Sequence, residues 1–135
     1  MPKKLMYGVI SILFLGLLSC DKNTNEGAWE DNIKLSHKEI NFTAESNTVL
    51  ITTEGNWWWI NGIALNDDWS YDISEIDTTQ DKFLIEDTAF TIERRNTNEI
   101  HIAMTENQTS SARTLTIGVQ AGNYFDSIKI IQSGN

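Results

Sequence analysis

The sequence predicts an all-β protein, a single domain built as an antiparallel β-sandwich, and three observations carry that prediction. Apolar residues alternate with polar ones at a period of two through many short runs. Clusters of Asn, Gly, Ser and Asp separate the runs, and these are the residues that tolerate turn geometry. Past the first twenty residues no stretch of helical length shows a 3.6 period. Short strands at close spacing, each half buried, imply two sheets packed face to face.

Taken in chain order, "MPKKLMYGVISILFLGLLSC" opens with Lys3 and Lys4 and continues in mostly apolar residues from Leu5 to Leu18. That run is shorter than the ~20 residues that cross a bilayer as a helix, and the polar "DKNTNEGAWEDN" follows it at once, so residues 1–19 are expected to be a secretory signal peptide. The ending Leu17-Leu18-Ser19-Cys20 resembles the lipobox of bacterial lipoproteins, which implies that Cys20 is lipidated and becomes the mature N-terminus. Cys20 is the one cysteine in the chain, so no internal disulfide is possible. Residues 20–32, polar and without apolar period apart from Trp29, read as the lipidated cysteine and a flexible tether. The domain is expected over 33–135.

Within it, "EINFTAE" puts Ile40, Phe42 and Ala44 on one face, and "TVLITTEG" puts Val49 and Ile51 on one face. Gly55 and Asn56 read as a turn, after which "WWWI" starts a strand with Trp57 and Trp59 inward and Trp58 outward. "DWSYDIS" aligns Trp69, Tyr71 and Ile73, while "SEIDTTQD" reads as an acidic loop and the strand count from Asn61 to Phe90 is left open. "AFTIE", "IHIAMTE", "RTLTIGV" and "SIKIIQ" complete the alternation. The inner faces are expected to include Phe42, Ile51, Trp69, Ile92, Ile102, Ile117 and Ile130.

These runs resemble the BACON domain, a module of exported Bacteroidetes proteins, from about Ile33 to Gly134. The resemblance rests on "INFTAES" leading into "TVLITTEGNWWWI" with Trp57 at the core-tryptophan place, on Asn107, Thr109 and Arg113 in "ENQTSSARTLTIGV", and on Gln132 and Gly134 in the closing "IKIIQSG". It implies an immunoglobulin-like sandwich on an exported, often surface-linked protein. The family's association with carbohydrate comes largely from neighbouring glycan-degrading domains.

Charge and composition exclude several functions. The whole chain carries a net charge of −9, and with Lys3 and Lys4 removed 8 basic side chains face 19 acidic ones, a net of −11. Phosphate backbones need a basic surface, so nucleic acid is not an expected partner, and the acyl chain is left as the membrane contact. His37 and His101 have no nucleophile or ligand spacing around them, so no catalytic residue, metal or cofactor is expected. Asp67, Asp68, Asp72, Glu75 and Asp77 crowd around Trp69, yet their spacing matches no EF-hand, and sequence crowding does not make the opposed acid pair of a glycosidase. Aromatic rings remain, since the faces of Trp and Tyr pack on the CH-rich faces of sugars. Trp58, Trp69 and Tyr124 are the candidate carbohydrate-binding residues, against the alternative that these rings simply pack. The expected function is a non-enzymatic, lipid-anchored module of the bacterial cell envelope, on the outer membrane or cell surface, contacting glycan or an envelope protein. The alternative is a structural spacer or assembly subunit with no small ligand.

Overall fold

The two-residue alternation is realised as eight strands in the computed structural model, which describes residues 30–135. Residues 1–29, where the signal segment, Cys20 and most of the tether are expected, lie outside the described residues. The strands are β1 (Glu39–Phe42), β2 (Asn47–Thr52), β3 (Trp59–Leu65), β4 (Phe83–Glu86), β5 (Phe90–Arg95), β6 (Glu99–Met104), β7 (Arg113–Ala121) and β8 (Tyr124–Gln132). They form two four-stranded sheets, ordered β1-β8-β7-β3 and β2-β6-β5-β4, and no helix occurs among the described residues. All pairings are antiparallel except β1 with β8, which run parallel. The chain changes sheet between β1 and β2, between β2 and β3, between β3 and β4, and between β6 and β7, which is the crossing pattern of an immunoglobulin-like sandwich.

Register follows from which face is apolar, because a slip by one residue would turn every inward side chain to water. Ile51, Ile92, Ile102, Ile117 and Ile130 are fully or almost fully buried, and Phe42 is buried too, all as the alternation predicts. Ile60, Ile63, Ile85, Ile100, Leu115 and Ile128 join them. Each such side chain removed from water contributes about 1.5–3 kcal/mol, so the layer between the sheets is the principal source of stability.

Three turns show why the strands end where they do. Gly122 (φ 60°) closes the two-residue β7–β8 hairpin, where a positive φ suits glycine. Asn66 and Asp67, with φ of 53° and 63°, turn the chain sharply back after β3, so that Leu65 and Asp68 exchange backbone hydrogen bonds at 3.2 Å. Asn96 and Thr97, also at positive φ, join β5 to β6.

At one end of the sandwich the residues that carry the family resemblance form one polar lattice. The fully buried Gln132 donates through Nε2 to the carbonyls of Glu45 (3.0 Å) and Thr105 (2.9 Å), and its Oε1 accepts from Arg113 Nε at 2.7 Å. Asn107, also buried, donates to the carbonyls of Ser111 (2.8 Å) and Ser133 (3.0 Å) and accepts from the backbone and hydroxyl of Thr109. Gly134 leaves no room for a side chain, since a Cβ there would run into the Ser110 carbonyl. These groups are satisfied within the lattice, and no buried side-chain polar atom among the described residues is left without a partner.

Two expectations are corrected in the middle of the chain. "DWSYDIS" is not a strand: from Asn66 to Lys82 the chain is loop, with Tyr71, Ile73 and Ile76 packed against the core and the buried Thr78 hydrogen-bonded to the backbone of Ile60. The cause is turn chemistry, for Asp68, Asp72 and Asp77 each accept the backbone N–H of the Ser or Thr two residues on, at 2.8–3.0 Å. Trp69 accordingly is not an inner-face residue; it is 55% exposed. The fourth strand is supplied instead by "FLIE", Phe83–Glu86.

Candidate functional site

The three consecutive tryptophans fall in the opposite register to the expected one. Trp58 is 1% exposed, whereas Trp57 is 59% exposed and Trp59 half-buried. Trp57 and Trp59 are therefore not core residues, and Trp58 is not an outward candidate for sugar. The physical reason lies in Arg94, an inward residue of β5 that is almost fully buried. Its guanidinium lies 3.6 Å from the centre of the Trp58 ring and donates to the carbonyls of Asn56 (2.8 Å), Trp58 (2.9 Å), Gln80 (3.2 Å) and Thr97 (2.7 Å). Burial lowers its pKa, with the Asp81 charge acting in the opposite direction. A buried cation must be hydrogen-bonded throughout and stacks well on an indole, so Arg94 draws Trp58 inward and fixes the backbone of 56–58. The Trp58 indole N–H completes the site by donating to Thr53 Oγ1 at 3.2 Å.

With Trp58 pinned inward, Trp57 and Trp59 point out and meet edge to face, centroids 5.4 Å apart. Pairing of β3, β7 and β8 then arranges the outer face of the first sheet in rows. Trp59 stands opposite Gln120, and Gln120 opposite Phe125, which is 60% exposed. The next row is Gly62, Gly118 and Ser127, with Asn61 the extra residue at the bulge between Ile60 and Gly62. The glycines have a packing role. The six-membered ring of Trp69 lies over Gly62, its Cε3 and Cζ3 each 3.3 Å from where a Cβ would stand, and the Asn61 amide occupies the corresponding space over Gly118. The sharp turn at Asn66–Asp67 is what returns the chain so that Trp69 reaches this face.

The outcome is an open surface carrying Trp57, Trp59, Trp69 and Phe125, with Asn61 and Gln120 among them. Asn61 Nδ2 donates to Gln120 Oε1 at 3.5 Å, and Gln120 Nε2 donates to the Gly122 carbonyl at 2.9 Å. Four cavities of about 240–470 Å³ lie elsewhere, on the second sheet, at its margins and beside Tyr71, and none of these four touches that surface.

Of the sequence candidates, Trp69 is on this face and Trp58 is inside. Tyr124 is half-buried on an inward position of β8 and donates to Asp126 Oδ2 at 2.7 Å, where burial first and then the Asp126 carboxylate raise the phenol's pKa. Lys38 Nζ meets the same oxygen at 2.7 Å and lies 3.8 Å from Asp31, so this cluster ties the start of the domain to β8 and is separate from the aromatic face. Burial pushes Asp126 up, but its bonds from Lys38, Tyr124 and the Ser127 N–H outweigh that and leave it lowered. His101 is half-buried on the other sheet and meets Glu99 at 3.0 Å. The acidic residues near Trp69 do not gather around a point: no group of three or more His, Cys, Asp or Glu side chains with metal-binding geometry occurs among the described residues. Hydrogen bonds from Ser70, Ser74 and Thr79 lower the pKa of Asp68, Asp72 and Asp77 respectively, with Gln80 also lowering Asp77. Sequence reasoning missed Trp57, Trp59, Asn61, Gln120 and Phe125 as residues of this face. A signal for the tryptophans was present, because Ile60 falls on the alternation of Trp58 and the structure buries both.

No family model matches the sequence, and no curated protein matches it. Among solved structures the chain is similar to an NMR structure of a protein from Bacteroides thetaiotaomicron, at 22% identity and a TM-score of 0.63, covering 78% of this chain and 90% of that one. It is also similar to a chain of a Bacteroides ovatus GH5 xyloglucanase in complex with a XXXG heptasaccharide, at 19% identity and a TM-score of 0.46, over 73% of this chain and 18% of that one. The first likeness shows the fold, and the chain is thus similar in fold to a β-rich module of Bacteroides.

Proposed function

We propose that the protein is a non-catalytic module of a bacterial cell envelope, of BACON type, lipid-anchored at Cys20, that binds glycan on the outer face of its first sheet. The observation that carries the reading is the outward row of Trp59, Gln120 and Phe125 with Trp69 beside it on Gly62. Exposed aromatic rings are costly to leave in water, and an open face that interleaves them with amides offers stacking and hydrogen bonding together, which is the chemistry of a sugar ring. Asp68, Asp72 and Asp77, near this face, accept hydrogen bonds within their own turns, which favours binding over hydrolysis. The lipobox at Leu17-Leu18-Ser19-Cys20 supports the anchor.

A glycan array probed with the wild type, Trp59→Ala and Trp69→Ala tests the binding role. Signals from the wild type that both variants lose support it, and no signal from the wild type sends the face to a protein partner or to the structural spacer. Cys20→Ala tests the anchor: the protein should move from the membrane to the soluble fraction, and a variant that stays with membranes refutes lipidation there.

A further inference from the structure

We infer that the ligand of this face is an uncharged glycan gripped along the interior of its chain, several sugar units at once, with Asn61 and Gln120 reading its hydroxyls. The inference rests on the glycan reading above and narrows it in two respects, charge and length.

Charge comes first. The rows Trp59–Gln120–Phe125 and Gly62–Gly118–Ser127 hold no ionisable side chain, although the chain as a whole is at −9. In the following row the exposed Lys129 has the carboxylate-bearing Glu39 as its register partner on β1. A uronate or sulfate laid across these two rows would meet no cation within them and would be repelled by the net charge of the protein. An uncharged sugar loses nothing by the absence of cations. Its hydroxyls find Asn61, which is exposed and uses one of its two N–H groups on Gln120.

Length follows from shape and spacing. A single terminal sugar is selected by a concave pocket that surrounds it, and the face is open, without any of the four cavities described above. Trp59 and Phe125 sit two strands apart in one row, roughly 10 Å at the usual strand spacing. One sugar ring does not bridge that gap, so engaging both aromatic surfaces needs consecutive units, each adding its own stacking contact. Gly62 and Gly118 keep the middle of the surface low by letting the Trp69 ring and the Asn61 amide settle against the backbone.

Affinity electrophoresis of the protein at physiological salt, in gels containing hydroxyethylcellulose, galactomannan, polygalacturonate or heparin, tests charge. Calorimetry with the dimer, tetramer and hexamer of a β-1,4-glucan and of a β-1,4-mannan tests length. Retardation is expected in the uncharged polymers only, with affinity rising about tenfold or more from dimer to hexamer as a second ring is engaged. Phe125→Ala, a change at an exposed position, should abolish most of that rise from dimer to hexamer. Retardation by polygalacturonate or heparin, or equal affinity for dimer and hexamer, overturns the inference and leaves the glycan reading standing. Failure to bind any of these together with a blank array overturns both.

Discussion

Replacing Trp58 with alanine is expected to destabilise the protein by about 3–5 kcal/mol, the usual cost of truncating a buried large aromatic. The structure places this variant near the upper end of that range. The ring is 1% exposed, so its full volume becomes a cavity, and Arg94 at 3.6 Å loses the π face on which its buried charge rests. The bond from the indole N–H to Thr53 goes as well, which leaves a buried hydroxyl with one partner fewer. These terms share the same atoms and do not add. At a urea dependence of ~2 kcal/mol per molar, a loss of ~4 kcal/mol lowers the unfolding midpoint by roughly 2 M. Urea titrations followed by far-ultraviolet circular dichroism measure it, with Trp57→Ala as the comparison, expected to cost under about 1.5 kcal/mol for the lost ring contact with Trp59. A double-mutant cycle with Arg94→Met should show coupling of about 1–2 kcal/mol between ring and guanidinium. If Trp57→Ala costs more than Trp58→Ala, the register of the tryptophan triplet and everything built on it is wrong.

Other predictions concern the glycines, the core and the acid limb. Gly62→Val should lift Trp69 off the sheet, lowering glycan affinity severalfold while urea stability changes by under about 1 kcal/mol; unchanged affinity would show that Trp69 does not need that seat. Ile117→Ala, at a fully buried position, should cost about 2–5 kcal/mol in the same titration, and a loss under 1 would place Ile117 outside the core. Asp126 has a folded pKa below its ordinary 3.8, so its bonds to Lys38 and Tyr124 stabilise above that value and are lost as pH falls through the lower folded one. Lys38, raised by the same bond, gives up its share only as pH rises past 10.5. The stability gap between wild type and Asp126→Asn should therefore be full near neutrality and shrink below pH ~4; a gap that persists at acid pH would show that something other than the ionised carboxylate holds the cluster.

How much of this was legible in the sequence differs between the strands and the surface. Alternation found Phe42, Ile51, Ile92, Ile102, Ile117 and Ile130 because period two is a local property and each run carries it alone. The triplet of tryptophans misled because three large apolar residues in succession have no alternation of their own. Their register is decided by Arg94, 36 positions away from Trp58, and by its carbonyl partners, which no local pattern reveals. Trp69 misled for the opposite reason: alternation with Tyr71 and Ile73 was present, but the repeated Asp-x-Ser/Thr spacing bent the backbone into successive turns. That spacing was readable in advance as turn chemistry. The row from Trp59 to Phe125 was not, since it exists only through the pairing of β3 with β7 and of β7 with β8, positions 66 residues apart in the chain.

The central claim is that the outer face of the first sheet is the binding surface, and amide and indole N–H spectra of the isotope-labelled protein titrated with a neutral hexasaccharide, of glucan or mannan, test it most directly. The account predicts shifts at the indole N–H groups of Trp57, Trp59 and Trp69 and at the backbone of Gly118, Gln120 and Phe125, with Trp58 unmoved beneath Arg94. Shifts concentrated on the second sheet around Leu50, Glu93 and His101, or none at saturating sugar, would contradict it.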